Sequence, residues 1–358
     1  MGILAKYLCK EFFKLTAICL TVFVSLYLII DFFQRIDNAL EAHASFAVLA
    51  AFFFYKLPHI TIQMIPVAVL ISVIIMFSLM KKHNEITALK ACGISITKIS
   101  LPVILASTGL AVSVFLLSEL VVPYCSSKSI SIWNKDIKKR DQKRFYGHNH
   151  IWYKGHNSIY WIRHFDKKKM IMEDPTFYFF DNSFRLTKRI QGRSAIWTGK
   201  KWRIKKAVVQ ELIKGGCYEL NRSKQLDITL PESPEAFLTT EKKPEEMSYW
   251  QLAHYAEKIQ LEGYNATRYL VDMNIKLAYP VISIIMALLG ISISLGLKRG
   301  GTPLAVSVGI ASCFLYLVTI GFARALGLSG VLPPCFSAWI ANFIFFLFGV
   351  YLMMCLET

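Results

Sequence analysis

The chain has 358 residues, of which 54% are hydrophobic and 18% charged, with a mean hydropathy of +0.42. Soluble domains carry roughly 25% charged residues. The shortfall is concentrated: windows 15–30, 57–80, 99–118, 277–297, 300–323 and 325–356 contain no Asp, Glu, Lys or Arg. A bilayer-spanning helix needs about 20 apolar residues, so the chain reads as an integral membrane protein with about six spans. A soluble enzyme, a secreted disulfide scaffold and a nucleic-acid-binding domain are excluded as descriptions of the whole chain.

In chain order, Lys6, Lys10 and Lys14 precede the first span. Residues 34–56 read as a short, mildly polar loop. Ala42-His43-Ala44 resembles a signal-peptide cleavage site but lies too far beyond the apolar run to serve as one. After the second span, the 81–98 loop carries Lys81, Lys82, Lys90 and Lys98. Good helix formers run from Asn84 to Ala91, and Gly93 is suited to end that helix. Glu85 and Leu89 stand at i, i+4. A short helix with one acid and small residues (Ala88, Ala91) suits a groove on another protein, although composition alone favours a plain positive-inside loop. Glu119 follows the third span by one residue. An acid at membrane depth normally faces a cavity or a partner; exposure among headgroups is the alternative.

Between residues 124 and 276 there are 29 Lys/Arg against 17 Asp/Glu, which accounts for +12 of the net charge of +17. This segment alternates like a β protein. Runs rich in Ile, Val, Tyr, Phe and Trp occur at 158–163, 176–180, 184–190, 194–197, 202–209 and 225–230. Turn residues such as Asp181-Asn182-Ser183 and Thr198-Gly199-Lys200 separate them. Such spacing predicts a sandwich or jelly roll. The run Lys201-Trp202-Arg203-Ile204-Lys205 leaves one face basic. Ile162 and Phe179 are candidate inward positions, but a one-residue slip would substitute Trp161 and Tyr178. Next, Ser248 with Gln251 forms a capping-box pattern. Leu252, Tyr255, Ala256 and Ile259 share one helix face, and Gly263 is a natural stop. This predicts an amphipathic helix at the membrane interface, with an ordinary packing helix as the alternative.

The short Lys-rich loops, including Lys298 and Arg299, alternate with the 34–56, 124–276 and 324–333 segments. The positive-inside rule then puts both termini in the cytoplasm and the β domain outside. Of eight cysteines only Cys125 and Cys217 fall outside, and no spacing supports a disulfide or a metal site. No catalytic constellation stands out, no cofactor is implied, and no GxxxxGK[ST] occurs anywhere. Energy for any transport must therefore come from a partner.

Several segments together resemble one family: Asn84-Glu85-Ile86-Thr87-Ala88-Leu89-Lys90-Ala91-Cys92-Gly93, Glu119-Leu-Val-Val-Pro123, Lys276-Leu-Ala-Tyr-Pro280 and Asn342-Phe-Ile-Phe-Phe-Leu-Phe-Gly-Val-Tyr351. In this order and spacing, nearly the whole chain is similar to lipopolysaccharide-export permeases of the LptF/LptG type. Ile151-Trp152-Tyr153-Lys154 and Tyr160-Trp161-Ile162 look more like the LptG branch. The resemblance implies an α-helical membrane protein with six transmembrane helices (3+3) and an inserted external β-jelly-roll. Its expected layout is spans one to three over 1–123, with a coupling helix at about 84–92, a periplasmic jelly roll over 124–247, an interfacial helix and connector over 248–271, and spans four to six over 272–358. It implies a non-enzymatic inner-membrane subunit that pairs with an LptF-type permease and an LptB-type ATPase dimer. Lipopolysaccharide would pass through a lateral gate, up into the jelly roll, and on to LptC- and LptA-type proteins. Glu85, Ala88, Leu89 and Gly93 would face the ATPase. Arg35, Glu119, Lys128, Lys135 and Arg324 would contact lipid or its phosphates. Asp31 stands where some relatives place a lysine. The rival functions are a mechanotransmitting permease or sensor that moves no lipid, and a membrane enzyme acting on lipids.

Overall fold

A computed structural model describes residues 2–134, 151–155, 158–166, 170–181, 184–199, 201–213, 218–230, 244–261, 265–297 and 301–356. By contacts the chain divides into a helical unit (Met1–Trp133, Lys243–Gln260 and Tyr264–Thr358) and a β unit (mainly Asn134–Lys242).

The helical unit opens with α1 (Ile3–Glu41), α2 (Phe46–Lys82), a short α3 (Glu85–Ala91), α4 (Ile96–Leu120) and α5 (Val122–Ile132). Helix α1 has 39 residues, roughly 58 Å at 1.5 Å per residue, so it outruns a hydrocarbon layer of about 30 Å. The expected 34–56 loop therefore shrinks to 42–45, and most of its residues extend α1 and α2 instead. Arg35 and Lys56 gain a shared partner, Asp31, by staying helical.

After the β insertion come a 3₁₀ turn (Pro244–Glu246), α6 (Tyr249–Leu261), α7 (Thr267–Ala278), α8 (Val281–Gly296), α9 (Gly301–Leu328) and α10 (Pro334–Met354). Among the described residues five helices are long and apolar enough to cross a membrane; α7 and α8, bent by 48° at their break, meet the same criterion as a pair and, counted as one, are span four. The capping box is realised at α6. Ser248 N donates to Gln251 Oε1 at 3.1 Å, and Gln251 N donates to Ser248 Oγ at 3.3 Å. Leu252 and Ala256 of α6 are buried together with Met247, Ala266 and Tyr269.

Helices α2 and α8 form the centre. Gly290 of α8 lets the two backbones approach: a Cβ there would lie 3.0 Å from Val73 Cγ1 and 3.1 Å from Leu70 O. Small residues at helix crossings provide this in membranes. Ser78 and Ser294 bond across the same pair at 3.0 Å, and Thr16 and Ser72 tie α1 to α2 at 2.8 Å. The bend in span four follows from Pro280, which has no N–H to continue the ladder. Ile282 N turns to Tyr279 O, and the Ala278 carbonyl instead accepts from Asn342 Nδ2 of α10 at 2.9 Å. Asn342 Oδ1 in turn accepts from the Tyr316 hydroxyl of α9 at 2.5 Å. One buried amide thus joins three elements at the break.

The β unit is an antiparallel sheet of β1 (Ile151–Gly155), β2 (Ser158–Ile162), β3 (His164–Asp166), β4 (Ile171–Glu173), β5 (Thr176–Phe180), β6 (Leu186–Gln191), β7 (Ser194–Trp197), β8 (Trp202–Leu212) and β9 (Tyr218–Ile228). Strands β2–β3, β4–β5 and β6–β7 are each the two halves of one longer bent strand, and the sheet runs as a meander into β8 and β9. The bends line up across the sheet. Asp174 N donates to Arg193 O and Arg193 N to Lys205 O, while Asp174 and Lys206 take positive φ. At this crease the inward parity flips: Ile162 to Phe165, Met172 to Phe177, Ile190 to Ala195 and Ile204 to Ala207 are all buried, and all lie an odd number apart. Both halves of the sheet consequently share one core. A β domain inserted between spans three and four is thus present, with the jelly roll built as one creased sheet. Trp202 and Ile204 point inward while Arg203 and Lys205 are exposed, as the alternation predicts. Arg203 holds Asp227 with two bonds of 2.9 and 3.2 Å, which keeps that carboxyl below the usual carboxylate range.

Replacing Asn342 by Leu removes the donor to Ala278 and the acceptor for Tyr316. A buried polar group left unsatisfied costs about 1–3 kcal/mol. Asn342→Leu should therefore lower the thermal midpoint of the purified protein in detergent, whereas Asn342→Gln should restore part of the loss.

Candidate functional site

Polar clusters lie at the end of the helical unit where the chain leaves for the β insertion. In the first, Asp31 of α1 is 5% exposed. It accepts from Arg35 Nε at 2.9 Å and from Lys56 Nζ of α2 at 2.6 Å. The i, i+4 spacing brings Arg35 onto Asp31, and antiparallel packing of α1 on α2 delivers Lys56. Aromatic rings wall the cations: the Arg35 guanidinium lies 4.5 Å from the Trp133 ring and 5.4 Å from Phe52, and Lys56 lies 5.8 Å from Tyr27. Two cations share one carboxylate, leaving a positively charged, aromatic-walled group with free guanidinium N–H donors. Such a group receives phosphate oxygens well.

The second cluster centres on Asp272 of α7, 8% exposed, whose Oδ1 accepts from Arg324 of α9 at 2.6 Å. Lys276, one turn further along α7, donates to the Met247 carbonyl. The two clusters share no residue, so the structure does not merge Arg35 and Arg324 into one site. Lys128 is exposed, 5.9 Å from the Tyr124 ring. Lys135 lies outside the described residues. Glu119 has a definite partner: its carboxylate accepts from Tyr249 N at 2.7 Å and Trp250 N at 3.4 Å. It thereby caps the first turn of α6, a favourable place for negative charge.

At the opposite end, α3 is bracketed by Asn84 and Gly93, both with positive φ. Ile86 is buried, and Leu89 packs against the main helical core. Glu85 is half-buried and lines the same pocket as Tyr7 of α1. The surface α3 offers is therefore Thr87, Ala88, Lys90 and Ala91, continuing to Gly93. The face shared by Glu85 and Leu89 is turned toward the bundle.

Sequence reasoning overlooked Lys56, Asp272 and Lys276. Lys56 was legible as the one charge in the 46–80 run, but nothing local paired it with Asp31.

Comparison with known proteins gives a match to the family described as lipopolysaccharide export system permease LptF/LptG over residues 6–354. The chain belongs to the LptF/LptG family. It is 22% identical to the lipopolysaccharide export system permease protein LptG of Escherichia coli K12, with 99% of this chain and 98% of that protein covered. It is 23% identical to LptG of Haemophilus influenzae Rd over 78% of each chain. As an LptF/LptG member it is built around two segments that meet in space: Lys276–Pro280 bends span four, and Asn342 caps the carbonyl that the bend frees.

The ion-pair geometry sets an order of effects. Asp31→Ala strands two part-buried cations, whereas Arg35→Ala leaves Asp31 with Lys56. Breaking a buried pair costs about 3–5 kcal/mol, and less where solvent reaches it. Thermal midpoints measured at matched scan rate should fall more for Asp31→Ala than for Arg35→Ala.

Proposed function

We propose that this chain is one permease half of an ABC exporter that lifts lipopolysaccharide out of the bacterial inner membrane toward a periplasmic bridge. The supporting observation is the family match across the whole chain, joined to the uneven burial of its spans. Helices α1 and α9 bury 11% and 22% of their apolar windows, against 72% for α2. Ile18, Val22, Leu26, Ile29 and Phe33 on α1, and Ile310, Phe314, Val318 and Phe322 on α9, are exposed. Apolar faces of this extent meet lipid or a second subunit. In the family's arrangement, spans one and five of opposing halves line the lateral gate.

In this proposal the partner is an LptF-type permease, a separate LptB-type ATPase dimer supplies the energy, and LptC- and LptA-type proteins receive the lipid. Both termini and α3 face the cytoplasm, in keeping with Lys6, Lys10, Lys14, Lys81, Lys82, Lys90 and Lys98 at that end. Arg35 and Lys56 meet a lipid phosphate, with Lys128 and Arg324 as further rim cations. Glu119 supports the rim by fixing α6. Acyl chains then enter the β unit on its inward face. There Ile162 is buried, Phe179 packs against the core, and Lys188 pairs with Glu211 nearer the hairpin tips.

Two measurements in proteoliposomes of the complete complex test this. A photo-crosslinker at Phe179 should label lipopolysaccharide only when ATP is supplied, while one at the outward-facing Tyr178 should not; equal or ATP-independent labelling would overturn the lipid path. Ala88→Arg on the exposed face of α3 should abolish transport-linked ATP hydrolysis without preventing membrane insertion. Unchanged coupled hydrolysis would remove α3 as the contact with the ATPase.

A further inference from the structure

The helical unit contains a cavity of about 310 Å³. It lies among α2, α4, α5, the 3₁₀ turn, α7 and α9, beside the bend of span four. One wall is apolar: Ile62, Val114, Val122, Ile275, Tyr279 and Pro280. The other carries both signs of charge. Arg268, Asp272 and Lys276 follow one another at i, i+4 and i+8 on α7, with Glu245 and Arg324 beside them. Asp272 is more than nine-tenths buried, and its Oδ2 has no hydrogen-bond partner among the described residues, although Oδ1 is held by Arg324. A buried carboxylate oxygen without a donor is costly, and its position in the cavity wall marks where a donor is missing.

The charges narrow the occupant. A simple anion would meet Arg268 and Lys276 but would press its charge against Asp272. A simple cation would satisfy Asp272 but face three basic side chains. A group with both an N–H cation and a phosphate satisfies both. The i, i+4, i+8 spacing on α7 places a cation, an anion and a cation about 6 Å apart along the axis, within the reach of a phosphate joined to an ammonium through two carbons. The apolar lining residues accommodate the start of acyl chains. Discontinuous spans are recurrent binding places because the break frees backbone and opens space.

We infer that this cavity binds the zwitterionic headgroup of a membrane aminophospholipid, phosphatidylethanolamine. The phosphate sits against Arg268 and Lys276, and the ammonium donates to Asp272 Oδ2. The lipid wedges the bend of span four from within one subunit, apart from the Arg35–Asp31–Lys56 group at which exported lipid is proposed to dock.

The test is native mass spectrometry of the full-length protein in detergent with phosphatidylethanolamine, phosphatidylcholine, phosphatidylglycerol or lipopolysaccharide added separately. Phosphatidylcholine has the same charges but no N–H donor, and phosphatidylglycerol has hydroxyl donors but no cation. The wild-type protein should retain phosphatidylethanolamine at least tenfold better than either phospholipid. Asp272→Asn should bring that preference close to parity. Because Asp272→Asn also alters the Arg324 pair, Arg268→Gln gives an independent arm: it should weaken retention of phosphatidylethanolamine while the fold remains intact by circular dichroism. The inference is overturned if phosphatidylcholine is retained as well as phosphatidylethanolamine, if no phospholipid is retained, if Arg268→Gln leaves retention unchanged, or if a photo-crosslinker at Ile275 labels lipopolysaccharide instead of phospholipid. None of these outcomes depends on whether the chain exports lipopolysaccharide.

Discussion

A hydrocarbon layer offers no water to satisfy a stray polar group, and each such group costs several kcal/mol. That constraint organises the helical unit. Several polar side chains within it are answered from another element: Thr16 by Ser72, Ser78 by Ser294, Asp31 by Lys56, and Asn342 by Ala278 and Tyr316. Each pairing fixes the rotation of one helix against its neighbour. Apolar packing alone specifies this weakly, because lipid tails are as apolar as leucine.

The same requirement explains how a proline is accommodated in span four. Pro280 removes one ladder bond, the axis bends by 48°, and the Ala278 carbonyl, no longer met by Ile282 N, accepts from Asn342 of a helix far along the sequence. The bend also opens the mixed-charge cavity beside α7. A local defect in one helix is thereby connected to α9 and α10 through hydrogen bonds rather than through bulk packing. Movement of span five relative to span four stretches the Arg324–Asp272 pair, and also either the Tyr316–Asn342 bond or the Asn342–Ala278 bond.

In the β unit the controlling feature is the crease. A strand alternates faces with period two, so a bent sheet that encloses a single core must shift parity at its fold line. Asp174 and Lys206 accomplish this with positive φ, a conformation costing non-glycine residues about 1–2 kcal/mol. Gly192 sits on the same line, and a Cβ there would lie 2.1 Å from Ile204 Cγ2. The strain and the close approach are offset by one shared core that includes Tyr160, Phe165, Phe177 and Trp202.

Features set by neighbouring residues were legible in the sequence. These include the apolar windows, the β insertion, the Ser248–Gln251 box, the inward Trp202 and Ile204, and the α3 segment between Asn84 and Gly93. Their periodicities and caps involve residues only a few positions apart, so short-range sterics and hydrogen bonding decide them. Tertiary structure alone decided the rest. The partner of Asp31 is 25 residues away, that of Asp272 is 52 and that of Glu119 is 130. No local pattern encodes these distances. Two of the parity flips fall on Asp174 and Lys206, which take positive φ without being glycine, because the crease is imposed by closure of the sheet on its core. Which side of α3 is covered has a related cause: Leu89 packs against the helical core, because the bundle, not the helix itself, determines which face is buried.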